Sequence, residues 1–338
     1  MRTINYFSIK FEDDKFIFLD QTKLPHQEVY VATEDYERIA VAIEKLEVRG
    51  APLIGVSAAY GLALSLKNIK SQNVEEVFYK AYNRLSSTRP TAVNLFMALD
   101  HLKTIFETRE NDDDMYQLLL SEAKNLHSAD KEKCRLIGLN ALPLFTKKAN
   151  VLTHCNTGLL ATAGDGTAFN VIKTASEHGL INMVFVDETR PLFQGSRLTA
   201  FELEKHNIPF NIQTDSCAAV LMQQGKIDLV VTGADRIALN GDTANKIGTY
   251  ALAVLCNFHN IPFYIAAPTT TIDRKTISGA DIKIEFRNKL ELLSINGNRI
   301  TSENYEAFTP AFDVTPSHLI RGIITDEQVY FSPYNFLR

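Results

Sequence analysis

The chain has 338 residues, of which 45% are hydrophobic and 22% charged, with a formal net charge of -5. Such a chain can bury a large core without metal or disulfide support, and its negative charge argues against a general nucleic-acid binder. Its apolar stretches are interrupted before a membrane-spanning length of about 18–20 residues, and no signal-peptide pattern is seen. The sequence therefore predicts a cytoplasmic protein with neither a membrane nor a nucleic-acid partner.

Residues 1–125 are predicted to form a smaller N-terminal α+β domain. Alternating apolar residues over 4–21 predict a β-hairpin, and the segment EVYVAT follows as a third strand. From Tyr36 the apolar period becomes helical. It predicts helices at 36–48, 51–67, 90–108 and 113–145.

Residues 126–338 are predicted to form a doubly wound, Rossmann-like α/β domain. Five apolar runs, ANVLTHC, NMVFVDE, FNIQTD, DLVVTGAD and PFYIAAP, alternate with amphipathic helical segments. This alternation is typical of a parallel sheet covered on both faces, where ligands bind beyond the carboxyl ends of the strands. Polar residues follow several of these runs, so Cys155 and Asp235 are predicted to face one crevice.

Cys155 lies in the stretch LTHCNTG and allows several interpretations. A metal site is not predicted, because His154 and Cys155 would point to opposite faces of a strand. No catalytic base has a recognisable spacing to the thiol, and no G-x-S-x-G motif is present. For a single cysteine in an apolar strand, a buried structural role is the ordinary interpretation. The four cysteines (Cys134, Cys155, Cys217, Cys256) are far apart, which favours reduced thiols.

A nicotinamide dinucleotide site is a weaker alternative. Gly164 and Gly166 form a G-x-G, and Asp187 follows about twenty residues later, as in the dinucleotide fingerprint. However, Phe169 occupies the position of the third glycine, and the glycines come well after the end of the preceding strand. The sequence therefore predicts no such cofactor.

Several stretches favour the binding of a phosphate-bearing small molecule. Arg49 and Gly50 precede a predicted helix near Pro52, and Arg89 precedes another. A helix N-terminus next to an arginine is a good anion site. Two later stretches add Arg190, Gln194 and Arg197, and then Asn245 with Lys246, which we expect at the start of a further helix.

These stretches resemble the family of methylthioribose-1-phosphate isomerases. The matching segments include VRGAPLIGVSAAYGLAL, RPTAVNL, LTHCNTGLLATAGDGTA, VDETRPLFQGSRLTAFEL and VTGADRIALNGDTANKIGTYALAVL. They span most of the chain. The wider superfamily includes ribose-1,5-bisphosphate isomerases and regulatory subunits of a translation-initiation exchange factor, and the presence of both Cys155 and Asp235 favours the enzyme branch.

The resemblance implies a cofactor-independent isomerase acting on a sugar 1-phosphate, without metal, as a homodimer. It implies that Asp235 is the proton donor and that Cys155 acts at the transition state. Substrate and phosphate contacts are implied for Arg49, Gly50, Ala51, Arg89, Gln194, Asn245 and Lys246. Cys217 departs from the family pattern and is expected to be a small core residue. A 5-deoxyribose-1-phosphate isomerase would share these features, so the 5-substituent of the substrate stays open.

Overall fold

The computed structural model describes residues 6–69, 73–89, 92–109, 114–295, 297–334 and 336. The chain divides into two compact units. Unit 1 consists of Met1–Arg135 and Gly158–Gly166, and unit 2 consists of Leu136–Thr157 and Thr167–Arg338. Residue 125, where the sequence analysis placed the division, lies inside the uninterrupted helix Met115–Ala141.

Unit 1 begins with an antiparallel sheet and continues with helices. Its described strands are β1 (Ile9–Glu12), β2 (Lys15–Leu19) and β3 (Tyr30–Thr33), paired in that order. The helices are α1 (Tyr36–Glu44), α2 (Ala51–Leu64), α3 (Val74–Ser86), α4 (Val93–Glu107) and α5 (Met115–Ala141). The predicted hairpin, third strand and four helices are confirmed, whereas α3 is an additional element. It buries Phe78, Ala81 and Leu85 on one face.

Helix α2 is the centre of unit 1. Its sequence is apolar on all sides, and almost its whole length is buried, as expected for a helix surrounded by other elements. α1, α3 and α4 pack against it. A Cβ atom added to Gly55 would lie 2.6 Å from the carbonyl oxygen of Asn94, so α2 and α4 meet almost backbone to backbone near their N-termini.

Unit 2 contains the predicted parallel sheet. Its strands in chain order are β4 (Ala149–Thr153), β5 (Ile181–Asp187), β6 (Phe210–Gln213), β7 (Leu229–Thr232), β8 (Arg236–Ala238), β9 (Thr243–Lys246), β10 (Phe263–Ala266), β11 (Ile272–Asp273), β12 (Ser294–Ile295), β13 (Asn298–Arg299), β14 (Phe312–Thr315), β15 (Gly322–Ile324) and β16 (Val329–Phe331). Its further helices are α6 (Ala168–Glu177), α7 (Ala200–Lys205), α8 (Ala218–Gln223), α9 (Thr249–His259) and α10 (Leu290–Leu293).

The described main sheet has the order β16-β15-β10-β7-β4-β5-β6 and is parallel except for β16. Alternate residues point to opposite faces, so Val151 joins the core that includes α6, while Leu152 joins the core under α8 and α9. The predicted doubly wound α/β fold is therefore confirmed. Among the described helices, none is both long and apolar enough to cross a membrane.

A smaller sheet, β11-β8-β9-β14, lies in the same unit and was not predicted. It corrects the expectation that Asn245 and Lys246 start a helix. Both residues lie on β9, where they pair antiparallel with Asp313 and Phe312 of β14. The helix that follows, α9, begins only at Thr249, because the left-handed Gly248 first reverses the chain.

Candidate functional site

Cys155 lies just beyond the carboxyl end of β4, and its backbone is in the left-handed region with φ of 64°. Its side chain is largely buried, with 7% of the residue exposed. The left-handed conformation costs an L-residue about 1–2 kcal/mol, so the surroundings must impose it. The expectation that His154 and Cys155 alternate on a strand is wrong, because β4 ends at Thr153.

His154 forms a buried bridge between three segments. Its Nδ1 lies 3.0 Å from Oδ2 of Asp187, at the end of β5, and its Nε2 lies 2.9 Å from the carbonyl oxygen of Ile247. A carbonyl only accepts, so Nε2 carries a proton and one further proton is shared between Nδ1 and Asp187. Burial alone would lower the pKa of His154, but the hydrogen bond and charge of Asp187 raise it, and burial raises the pKa of Asp187.

Asp215 is close to this bridge. Ligand-type atoms of His154, Asp187 and Asp215 lie within 4.8 Å of one another in the described part of the chain. Both carboxylate oxygens of Asp215 accept backbone N–H bonds, from Thr189 and Arg190, each at 2.8 Å. These protein hydrogen bonds explain the cluster as a structural network.

Asp235 follows the end of β7, the strand next to β4. Leu152 of β4 pairs with Val230 of β7 in parallel register, so the carboxyl ends of the two strands lie at one edge of the sheet. The half-buried Asp235 donates its backbone N–H to the Ala244 carbonyl at 2.9 Å. This places Asp235 at the same edge as Cys155 and next to Asn245 on β9.

The other predicted contacts of unit 2 come from β9 and from the segment after β5. Asn245 is buried and donates from Nδ2 to Thr249 Oγ1 at 2.9 Å, while Lys246 Nζ donates to the Ala311 carbonyl at 3.0 Å. Gln194 directly precedes a π-helical turn, Gly195–Thr199, and is 5% exposed. Its Oε1 is buried and has no hydrogen-bond partner among the described residues. A buried amide oxygen without a partner is a suitable acceptor for a hydrogen bond from a ligand hydroxyl.

The predicted contacts of unit 1 lie at two neighbouring helix N-termini. Gly50, with φ of 94°, is the N-cap of α2, and Ala51 is its first residue. Arg89 precedes α4, whose N-cap is Ala92, and Pro90 lies outside the described residues. Neither Gly50 nor Ala92 has a side chain that could accept a hydrogen bond from the first turn. In α2 the N–H of Leu53 already donates to the Ala161 carbonyl and Pro52 has no N–H, so the N–H groups of Gly50 and Ala51 and the positive ends of both helix dipoles suit an anion.

Arg49 is held beside this pair of helix ends. Its Nε donates to Oε1 of Gln21 at 3.2 Å, and Nε2 of Gln21 donates to the Leu160 carbonyl at 2.7 Å. Ala161, the residue after Leu160, packs closely against Gly50. A Cβ atom added to Gly50 would lie 2.3 Å from the Ala161 carbonyl oxygen. The structure therefore places Arg49, Gly50 and Ala51 at the N-terminus of α2, and Arg89 precedes the helix α4 that packs against it.

One sequence interpretation changes. Cys217 is exposed, so its assignment as a core residue is wrong; it lies one residue before α8, with Thr214 Oγ1 3.1 Å from its sulfur. The G-x-G of Gly164 and Gly166 belongs to the segment of unit 1 that packs near α5 and does not form the first turn after a strand. Arg190 donates to the Leu292 carbonyl and therefore also has a structural role.

Sequence reasoning missed the residues that fix the backbone of Cys155. Thr189 and Thr199 both bond to it and are almost fully buried. A polar residue directly after a buried strand, as in VDET, was the available signal for Thr189. No local signal marks Thr199, which lies in the π-helical turn.

The model of the Initiation factor 2 subunit family matches residues 47–330. A methylthioribose-1-phosphate isomerase from Caldicellulosiruptor saccharolyticus is 49% identical over 96% of each chain, and one from Desulfitobacterium hafniense is 49% identical over 97% of this chain and 96% of its own. The chain belongs to the methylthioribose-1-phosphate isomerase family. Its members are aldose–ketose isomerases, and so is this chain.

Two solved structures are similar to this chain over almost its full length. The crystal structure of 5-methylthioribose 1-phosphate isomerase from Pyrococcus horikoshii OT3 matches with a TM-score of 0.92 and 38% identity, covering 98% of this chain and 96% of that one. A structure described as translation initiation factor eIF-2B, subunit delta, from A. fulgidus matches with a TM-score of 0.88 and 40% identity, covering 98% and 97%. The fold is therefore shared by proteins that carry enzyme and initiation-factor names.

Proposed function

We propose that the chain converts 5-methylthioribose 1-phosphate into 5-methylthioribulose 1-phosphate, a step of methionine salvage. The observation that carries this proposal is the placement of Cys155 and Asp235 beyond the carboxyl ends of the adjacent strands β4 and β7. The anion-suited helix ends of unit 1 and the names of close relatives support a sugar phosphate as substrate.

The substrate sets the chemistry, because phosphate on the anomeric oxygen prevents spontaneous ring opening. The C1–O4 bond must break while phosphate stays on C1. A protonated Asp235 carboxyl donates its proton to O4 as that bond breaks, which leaves O4 as a hydroxyl. The site must favour the neutral acid for this step.

Hydrogen must then move from C2 to C1, and two routes balance. In one, the Cys155 thiolate removes the C2 proton to give an enediol phosphate, a proton is returned to C1, and the C2 hydroxyl loses its proton to form the ketone. In the other, hydride migrates from C2 to the electron-poor C1, the C2 hydroxyl loses its proton, and Cys155 stabilises the developing charge. Deuterium at C2 separates the routes, because only proton transfer exchanges deuterium with solvent.

The substrate contacts are proposed for the residues already placed. Arg49, Arg89 and the N–H groups at Gly50 and Ala51 would bind the phosphate. Gln194 and Asn245 would bind sugar hydroxyls, and Lys246 would add positive charge. The orphan Oε1 of Gln194 supports its part of this assignment.

The direct test is turnover of methylthioribose 1-phosphate by purified protein without added metal or nicotinamide cofactor. Ketone formation is expected, and its absence would contradict the proposal. A panel of methylthioribose, 5-deoxyribose and ribose 5-phosphate cores, all as 1-phosphates, ranked by kcat/KM then identifies the preferred 5-substituent.

The alternative of a non-catalytic regulatory subunit that binds nucleotide or sugar phosphate, a name type that the A. fulgidus structure carries, is disfavoured because relatives that match almost the full chain are named isomerases. It predicts ligand binding without turnover and assembly with other chains.

The homodimer stays a prediction. The exposed apolar residues Tyr250, Val254 and Phe258 lie four apart on α9, as on a helix face that pairs, and light scattering of the purified protein gives its mass.

A further inference from the structure

The backbone of Cys155 is held by side chains from outside β4. Its N–H donates to Thr189 Oγ1 at 2.8 Å, and its carbonyl oxygen accepts from Thr199 Oγ1 at 2.6 Å. Thr189 follows β5, and Thr199 ends the π-helical turn. Both peptide groups that flank the Cα atom of Cys155 are therefore fixed by hydroxyls rather than by a strand ladder.

Each hydroxyl is used in both directions, which fixes its proton. Thr189 accepts from Cys155 and donates to the Asp187 carbonyl at 3.0 Å. Thr199 donates to Cys155 and lies 3.3 Å from Nδ2 of Asn156, which can only donate to it. Thr189 and Thr199 are 0% and 2% exposed, so water does not replace these bonds.

Thr189 is itself held in place. Its backbone N–H donates to Asp215 at 2.8 Å, and its φ of 66° is left-handed, like that of Cys155. A threonine is branched at Cβ and adopts this region rarely. Cys155, after β4, and Thr189, after β5, therefore both have unfavourable left-handed backbones. The hydrogen bond from the Cys155 N–H to Thr189 Oγ1 joins them.

We propose that Thr189 and Thr199 are positioning residues that hold Cys155 in its left-handed conformation and so fix the direction of its thiol. The Cα–Cβ bond direction follows from φ and ψ, so fixing both flanking peptides fixes the sulfur to within its side-chain rotation. A displacement of about 1 Å at a reacting group can cost about a hundredfold in rate. The proposal rests on the role of Cys155 in the proposed function.

The test compares Thr189→Val and Thr199→Val, which keep the shape but lose the hydroxyl, with Thr189→Ser and Thr199→Ser, which keep the hydroxyl. We expect kcat to fall about 10- to 100-fold in the valine variants, with KM nearly unchanged, and to recover in the serine variants. Thr325→Val is the matched control, because Thr325 is also fully buried and bonds the backbone of a turn, between β15 and β16. It should keep the wild-type kcat.

A second readout does not depend on catalysis. Selective ¹⁵N labelling of the four cysteines gives four backbone amide signals, and Cys155→Ala identifies the one from Cys155. Hydrogen exchange of that amide should accelerate in Thr189→Val and return to the wild-type rate in Thr189→Ser. In Thr325→Val it should not change.

The outcomes separate the two proposals. An inactive Cys155→Ala together with wild-type kcat and slow amide exchange in Thr189→Val would overturn the positioning role alone. Full activity in Cys155→Ala would overturn the catalytic role of the cysteine, and with it the effect expected on kcat. If the valine variants fail to fold, the serine variants carry the test through their kcat and the amide exchange of Cys155. A low kcat together with fast amide exchange in the serine variants would also overturn the positioning role.

Discussion

The candidate binding residues of the two units, each taken by itself, offer different chemical groups. Unit 1 offers two arginines and backbone N–H groups at two helix ends, and the two helices approach each other closely at Gly55. Unit 2 offers side chains at the ends of parallel strands and on β9. Binding by unit 1 should therefore depend on how closely its backbone segments approach, whereas the chemistry of unit 2 should depend on particular side-chain groups.

The largest expected effect is on kcat, from unit 2. Asp235→Asn removes the proposed acid, and Cys155→Ala removes the thiol, so each should lower kcat by about 10²- to 10⁴-fold with a small change in KM. Asp228→Asn is the control, because Asp228 precedes the other end of β7 and accepts the backbone N–H of Asn150. Steady-state kinetics with methylthioribose 1-phosphate measures all three, and wild-type kcat in Asp235→Asn would remove the acid from the mechanism.

The next effect is on stability, from the backbone packing of unit 1. Gly55→Ala puts a methyl 2.6 Å from the Asn94 carbonyl oxygen and should lower the free energy of unfolding by about 1–3 kcal/mol. It should also raise KM, because the ends of α2 and α4 separate. Gly61→Ala on the same helix meets only side chains at 3.4 Å or more and should be neutral or stabilising by up to about 1 kcal/mol. Urea unfolding and KM determination compare the pair, and equal effects would contradict the packing argument.

The units also differ in how a buried histidine responds to pH. In unit 1, burial and the nearby charge of Lys131 lower the pKa of His127 to about 4, and its Nδ1 lies 3.1 Å from the Tyr60 hydroxyl. The unfolded chain binds more protons between about pH 4 and 6.5, so His127 makes stability rise with pH there. In unit 2, the pKa of His154 is raised, so its contribution is complete below about pH 6.5 and is lost as pH rises through the folded pKa.

Asp187→Asn tests the unit 2 half of this contrast. The amide can donate to Nδ1, so the shared proton is no longer needed and His154 stays neutral. The stability advantage of the wild type over Asp187→Asn should shrink by up to about 1.4 kcal/mol per pH unit above about pH 6.5. Urea midpoints between pH 6 and 9 measure it. A constant difference across this range would mean that no proton is shared.

The smallest expected effect concerns the strain at Cys155. Cys155→Gly and Cys155→Ala both remove the thiol, but only glycine adopts φ of 64° without cost. The glycine variant should therefore be more stable than the alanine variant by about 1 kcal/mol. This ordering reverses the usual one at a strand end, and thermal unfolding of the two variants measures it.

Much of the fold could be predicted because short apolar runs alternate with amphipathic helices: β4, β7 and β10 are almost wholly buried, β5 is partly buried, and the edge strand β6 is largely exposed. The small sheet could not, because Arg236–Ala238 and Thr243–Lys246 are short, mixed in polarity and paired with the distant β14. This pairing, rather than local propensity, places Asn245 and Lys246 on a strand.

The candidate site could likewise be predicted only in part from the sequence. Cys155 and Asp235 could be placed at one edge because adjacent parallel strands end together, a rule that needs only the order of the strands. The left-handed backbone of Cys155 could not be predicted, because cysteine has no preference for it and the hydroxyls that impose it come from Thr189 and Thr199, far along the chain. Tertiary contacts override the local preference there.

The segment Gly158–Gly166 belongs to unit 1 although unit 2 surrounds it in the chain. Its Ala161 carbonyl accepts the N–H of Leu53 in the first turn of α2, and Leu160 and Thr162 accept from Gln21 and Ser8. A gene fragment that ends at Arg135 therefore lacks the acceptor of the Leu53 N–H in α2 and the acceptors of Gln21 and Ser8. Because the two units interleave along the chain, an exchange of unit 1 between relatives has to include Gly158–Gly166 as well as Met1–Arg135.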